Sequence, residues 1–178
     1  MTVRWNGGWT PTPLSECDPQ AALEDTAPLL DGRRWWIGAG TVLGLHRDGG
    51  FIPWDTDVDI ELEADWDDPP ADDLLPWPLI GAQYWNGRPT QLAYLHGRLP
   101  VDIYVYYRAG DVLVNRTNVG RLELPAGLVD RFEDVAGWPA PSPVGDYLAW
   151  RYGPGWRVPT GRKTSWQAET VALNRETR

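Results

Sequence analysis

The stretch from Gly50 to Glu63, GFIPWDTDVDIELE, sets carboxylates at every second position: Asp55, Asp57, Asp59, Glu61 and Glu63. No basic residue stands among them. On an extended chain, alternate side chains leave the same face about 6–7 Å apart, and a neighbouring strand runs about 4.8 Å away. Two acids at i and i+2, joined by a third from an adjacent strand, can therefore converge on one small volume. Carboxylates are hard oxygen donors, and such a trio can hold two Mg²⁺ or Mn²⁺ ions about 3.5–4 Å apart, which in turn grip phosphate oxygens. Asp57 and Asp59 are the central pair. Asp102, set among β-branched residues in VDIYVYY, is the natural third. Aspartate is a poor strand former, so three of them in one strand ask for a reason of this kind. Glu61 and Glu63 read instead as a solvated strand face.

Upstream, GAGTVLGLHRDGG joins a short buried strand, RRWWI, to a short helix through a glycine turn. A turn of that type exposes backbone N–H groups at a helix N-terminus, where a phosphate is well placed. Gly40 supplies such an N–H and Thr41 adds a hydroxyl at the same end. The order is informative: glycine turn, helix, then the strand carrying Asp-x-Asp, all within about twenty residues of Gly38.

The elements that must position these groups follow from local pattern. In DPQAALEDTAPLLDG, Asp18 caps a helix, Pro19 fits its first position, and Ala22, Leu23, Leu29 and Leu30 form an apolar face before Gly32 ends it. Strict alternation from Trp54 onward predicts a strand with Trp54, Thr56, Val58, Ile60 and Leu62 opposite the acids. AQYWNG, QLAYLHGRL, VDIYVYYRAG and VLVNRT read as further strands between turn residues. After Pro125 the pattern predicts short helical pieces, SPVGDYLAWRYG foremost, with a final helix beyond Thr164. The expectation is one α+β domain over 1–178, irregular over about 1–17 and helical over about 142–178.

Composition narrows the function. The net charge is −9, with 12 Trp and 7 Tyr against 2 Phe. Residues 51–80 hold ten Asp or Glu and no Lys or Arg, whereas 147–178 hold six basic residues and two acidic ones. An acidic chain lacks the footprint for non-specific duplex DNA binding, though cations bound to it reverse the local field. The single Cys17 excludes a disulfide framework and a cysteine zinc site. With neither a signal-peptide run nor a transmembrane segment in the sequence, a cytoplasmic protein is expected.

GTVLGLHRDGGFIPWDTDVDI, residues 40–60, resembles the LicD/fukutin-related branch of the nucleotidyltransferase superfamily, and YGPGWRVP, residues 152–159, is similar to its C-terminal Tyr-Gly element. GFIPWDTDVD is the specific part. The resemblance implies a nucleotidyltransferase-like mixed β-sheet flanked by helices and a divalent-metal site. Asp57 and Asp59 fall on the metal-binding pair, Asp55 on the motif's third acid, and Asp102 on the later-strand carboxylate. Gly40 and Thr41 match a phosphate-facing turn, and Arg47 the motif arginine that contacts donor phosphates or braces the acid loop. Thr56 stands where many relatives carry Asp, and Asp48 and Gly49 replace commoner basic residues.

The implied activity is Mg²⁺- or Mn²⁺-dependent transfer of a phospho-alcohol, phosphocholine or an alditol phosphate, from a CDP-linked donor to a glycan or other hydroxyl acceptor. Asp55, Asp57, Asp59 and Asp102 would be the catalytic set, with Asp55 or Asp102 as general base. Two alternatives remain open: transfer of NMP from an NTP to a small molecule, protein or RNA end, and a non-catalytic module that binds metal or nucleotide.

Overall fold

A computed structural model describes residues 1–5, 10–118 and 120–159. Ten strands and three α-helices follow one another in the described chain, an α+β arrangement. β1 (Thr2–Trp5) precedes α1 (Pro19–Thr26), β2 (Arg34–Ile37) and α2 (Ala39–Arg47). β3 (Val58–Ala64), β4 (Leu79–Trp85), β5 (Arg88–His96), β6 (Leu99–Ala109), β7 (Val112–Thr117) and β8 (Gly120–Pro125) come next. A hairpin, β9 (Phe132–Val135) with β10 (Trp138–Pro141), leads to α3 (Val144–Tyr152).

Eight strands form one sheet in the order β1-β4-β5-β6-β3-β2, with β7 and β8 continuing from the far end of β6. Every pairing is antiparallel except β3 with β6. That one parallel pair matters most, because it sets Asp59 in register with Asp102. Both strands are buried on both faces. Val58, Ile60 and Leu62 of β3 and Val101, Ile103 and Val105 of β6 are wholly enclosed. Each such side chain contributes about 1.5–3 kcal/mol by leaving water, so the register is strongly held.

Local signals account for the helices. Asp18 accepts a hydrogen bond from the Ala21 N–H at 3.0 Å, and Pro19 opens α1 as expected. The helix tightens into a 3₁₀ turn at Ala27–Leu30, since Pro28 cannot donate to the α ladder. That turn leaves Leu29 exposed, whereas Ala22, Leu23 and Leu30 are buried as expected.

Four expectations are corrected. The N-terminal residues are not irregular throughout: Thr2–Trp5 pair as an edge strand along β4, a long-range contact that local composition does not signal. The strand after the acid motif starts at Val58 and not at Trp54. Here Pro53 and its neighbours form a turn clamped from outside, with the Leu14 N–H donating to the Asp55 carbonyl at 2.7 Å and Ser15 N–H to the Pro53 carbonyl at 3.0 Å. Trp54 is consequently 52% exposed, off the apolar face. Finally, the chain after Pro125 forms the β9–β10 hairpin as well as α3, its tight turn using Ala136 and Gly137 at φ 56° and 90°. The helix expected beyond Thr164 lies outside the described residues. No helix among the described residues is long and apolar enough to cross a membrane.

Candidate active site

Three hydrogen bonds tie the glycine turn to one acid. The Gly38 N–H donates to the Asp59 carbonyl at 3.1 Å, the Asp59 N–H donates to Thr41 Oγ1 at 2.8 Å, and the Gly40 N–H donates to Asp59 Oδ2 at 2.9 Å. The backbone and carboxylate of Asp59 are thus fixed against the first turn of α2. Asp55 closes in from the loop: a Cβ added to Gly40 would lie 2.5 Å from Asp55 Oδ2 and 3.2 Å from Asp59 Oδ2. Two carboxylates approach the Gly40 Cα so closely that a side chain there would have to push Asp55 aside. Ala39 beside it has φ 37°, a left-handed conformation that costs a non-glycine residue roughly 1–3 kcal/mol. Its N–H donates to the Tyr147 hydroxyl at 3.0 Å.

Asp102 joins across the β3–β6 register. Its Oδ2 accepts from Gln91 Nε2 at 2.7 Å, with the Tyr104 hydroxyl at 3.5 Å. Asp59 and Asp102 are buried, while Asp55 and Asp57 are half-buried in the loop before β3. Burial pushes Asp57 well above the usual carboxylate range, and Asp59, Asp102 and Asp55 push it further. Burial raises Asp59 likewise, reinforced by Asp55 and Asp102 and opposed by Arg151 and the Gly40 N–H. Asp102 is raised to about 6 by burial, against the pull of Gln91 and Tyr104. Each acid makes its neighbours' charge more costly, as expected of carboxylates gathered without enough cations.

Glu61 does not belong to a solvated face. It is fully buried, and its carboxylate accepts from Trp36 Nε1 at 2.7 Å, the Tyr147 hydroxyl at 2.8 Å and the Tyr106 hydroxyl at 3.3 Å. Charge on Glu61 is opposed by burial and supported by Arg151, the only basic side chain buried among the described residues. Burial disfavours charge on Arg151 too, but Tyr106, Tyr147 and Glu61 outweigh it. Sequence reasoning missed this group, although Tyr147 and Arg151 stand four apart in the expected helix and so share one face. Glu63 fits its expectation better: it is partly exposed and neutralised by Arg34 at 3.1 Å and Arg108 at 2.7 Å.

Arg47 sits at the other end of α2, about 12 Å of helix rise from Ala39. It pairs bidentately with Asp48 at 2.7 and 2.8 Å and donates to the Trp156 carbonyl at 3.3 Å. Trp156 is buried with exposed His46 beside it, so this end of α2 anchors the Tyr-Gly segment. Tyr152 is raised mainly by burial, with Asp59 and Asp55 adding to it, which puts its phenol within electrostatic reach of the acids.

Among the described residues, no three His, Cys, Asp or Glu side chains are already closed around a metal position. The donor chemistry nevertheless suits a hard divalent cation. Asp59 and Asp102 each have one oxygen committed to a fixed donor, and their charges repel. Among the described residues, no ion pair reaches Asp57, Asp59 or Asp102.

Residues 32–77, which contain the glycine turn, α2, the clamped loop and β3, match the family model LicD/FKTN/FKRP, nucleotidyltransferase domain. Ribitol 5-phosphate transferase FKRP of Mus musculus is 36% identical over 64 residues, 33% of this chain. The chain spans 12% of that relative's length. By these two matches the segment from the glycine turn to β3 is similar to the LicD/FKTN/FKRP family.

Proposed function

We propose that this chain is a nucleotidyltransferase-fold transferase, dependent on a divalent cation, that moves a phospho-alcohol from a CDP-linked donor to a hydroxyl acceptor. The single observation carrying this reading is the gathering of Asp55, Asp57, Asp59 and Asp102 at one end of the parallel β3–β6 pair. Their mutual repulsion is relieved by positive charge supplied from outside. The name of the mouse relative, a ribitol 5-phosphate transferase, favours an alditol phosphate as the transferred group.

Asp57, Asp59 and Asp102 would hold Mg²⁺ or Mn²⁺. Bound there, the cation supplies Lewis acidity toward donor phosphate oxygens. The chain's own residues do the rest. The Gly38, Gly40 and Thr41 contacts keep Asp59 from turning away. The acceptor hydroxyl oxygen forms a bond to the phosphorus bearing the alcohol, its proton passes to half-exposed Asp55, and the bond to the departing CMP breaks. Tyr152 lies within electrostatic reach of Asp59 and Asp55. Because the Gly40 N–H is engaged by Asp59, the glycine turn acts on phosphate through the acid it orients.

The test is thermal stability of the full chain with Mg²⁺ and CDP-ribitol, CDP-choline, CTP or ATP, followed by phosphorus NMR with a polyol acceptor. A ligand at 100 times its Kd adds about 2.7 kcal/mol of stability. Stabilisation by a CDP-alcohol, with CMP released in step with acceptor phosphorylation, supports the proposal. Preference for an NTP with release of pyrophosphate replaces it with nucleotidyl transfer. Absence of any cation-dependent shift leaves only a non-catalytic module.

A further inference from the structure

A buried row of polar side chains crosses the sheet beside the acids. Gln83 of β4 is in register with Gln91 of β5, and Gln91 with Tyr104 of β6. Gln83 and Gln91 are 2% and 4% exposed, so each amide must find its partners inside the protein. The bonds run in one direction. The Asn118 backbone N–H donates to Gln83 Oε1 at 2.7 Å, Gln83 Nε2 donates to Gln91 Oε1 at 2.6 Å, and Gln91 Nε2 donates to Asp102 Oδ2 at 2.7 Å. Side-chain amides can flip, but a backbone N–H is only ever a donor. Asn118 therefore dictates that Gln83 presents its oxygen toward it, which turns the Gln83 NH₂ toward Gln91. Gln91 must then offer its oxygen to Gln83 and its NH₂ to Asp102. The polarity of two amides is set by one backbone group just past the end of β7.

We infer that Gln91, oriented by Gln83, is a positioning residue for Asp102: it fixes Oδ2 with a permanent donor and leaves Oδ1 as the oxygen directed to a bound divalent cation. This rests on the proposed cation-dependent reading of the acid cluster and deepens it. A carboxylate free to rotate would spend part of its time with neither oxygen on the cation. One locked by a hydrogen bond from behind is pre-organised, as outer partners of metal ligands are elsewhere. The chain does not touch the other acids, so its effect enters through Asp102 alone.

The experiment measures Mn²⁺ affinity by electron paramagnetic resonance on the full chain, with folding checked by circular dichroism. Gln91→Leu raises the Mn²⁺ Kd about tenfold, the lower end of the range for loss of an outer hydrogen bond to a ligand. Gln83→Leu, which never touches Asp102, raises it by a smaller factor. In an Asp102→Asn background, Gln91→Leu has no further effect, a coupling that general loosening of the sheet does not produce. If Gln91→Leu fails to fold, Gln83→Leu decides. Wild-type affinity in the folded variants, with affinity still lost in Asp102→Asn, overturns the inference and spares the reading of the cluster. Unchanged affinity in Asp102→Asn as well removes Asp102 from the site and overturns both.

Discussion

Asp59 and Asp102 are register partners on the one parallel strand pair of the sheet, both buried and with their carboxylates on the same face. Neighbouring strands hold such residues about 4.8 Å apart, so both carboxylates stay on one buried face of the sheet. Protons or bound cations relieve the resulting repulsion.

That makes stability fall as pH rises in the absence of cations. A carboxyl group with a raised pKa binds more protons in the folded than in the unfolded state, so folding is favoured at low pH and loses ground as the proton leaves. For Asp102, moving from 3.8 to about 6 corresponds to about 3 kcal/mol lost between pH 4 and pH 7. Asp57 and Asp59 shift in the same direction and extend the loss to higher pH. Melting temperatures in EDTA should fall from pH 5 to pH 8, and millimolar Mn²⁺ should flatten the slope. A melting temperature that climbs across this range would show the acids to be ionised and satisfied already.

Asp59→Asn keeps the Gly40 hydrogen bond through its amide oxygen but removes the charge. The metal-free variant should melt no lower than wild type at pH 8, because repulsion from Asp55 and Asp102 is gone. Turnover should fall at least about a hundredfold, as when a single electrostatic group is removed from a reaction centre. Calorimetry beside the CMP-release assay checks both; a variant that unfolds makes Asp59 structural.

Two neighbouring glycines should respond in opposite ways. The Cβ of Gly40→Ala meets carboxylate oxygens, the mobile ends of side chains, and alanine favours the helix by about 1 kcal/mol, so the fold persists while Asp55 is displaced. In Gly38→Ala the Cβ would lie 2.5 Å from Glu61 Cγ, and Glu61 is pinned by Trp36, Tyr106 and Tyr147. That overpacking should cost about 1–3 kcal/mol. Urea denaturation and Mn²⁺ binding separate the two: affinity is lost in the first, stability in the second.

Removing Arg151 should unfold more than it inactivates. Arg151→Met leaves Glu61 without its buried cation, a loss of about 3 kcal/mol, the low end for unpairing a buried charge. Adding Glu61→Gln should return part of that stability, because the orphaned charge is then gone. Equal losses in the single and double variants would show that Arg151 acts by packing alone.

The acid motif, the glycine turn, α1 with its Asp18 cap and the strands from β4 to β7 were legible in the chain, because each rests on local chemistry: alternation, caps and turn residues. Period-two spacing set Asp57 and Asp59 on one strand face, but Asp57 stands in the loop before β3, and only Asp59 lies in the strand, in register with Asp102. What local pattern lacked was the other side of each contact. Glu61 and Glu63 look alike in sequence, yet one is sealed beneath Trp36, Tyr106 and Tyr147 while the other meets arginines at the surface. Trp54 continues the alternation but sits in a turn, because the Leu14 and Ser15 N–H groups bind its neighbours' carbonyls. Gln83 and Gln91 read as ordinary polar positions until the sheet order brings them into line with Asp102. Spacing along a strand fixes which side chains share a face. What stands across from them is decided by strand order and helix docking, which depend on contacts among residues far apart in the chain.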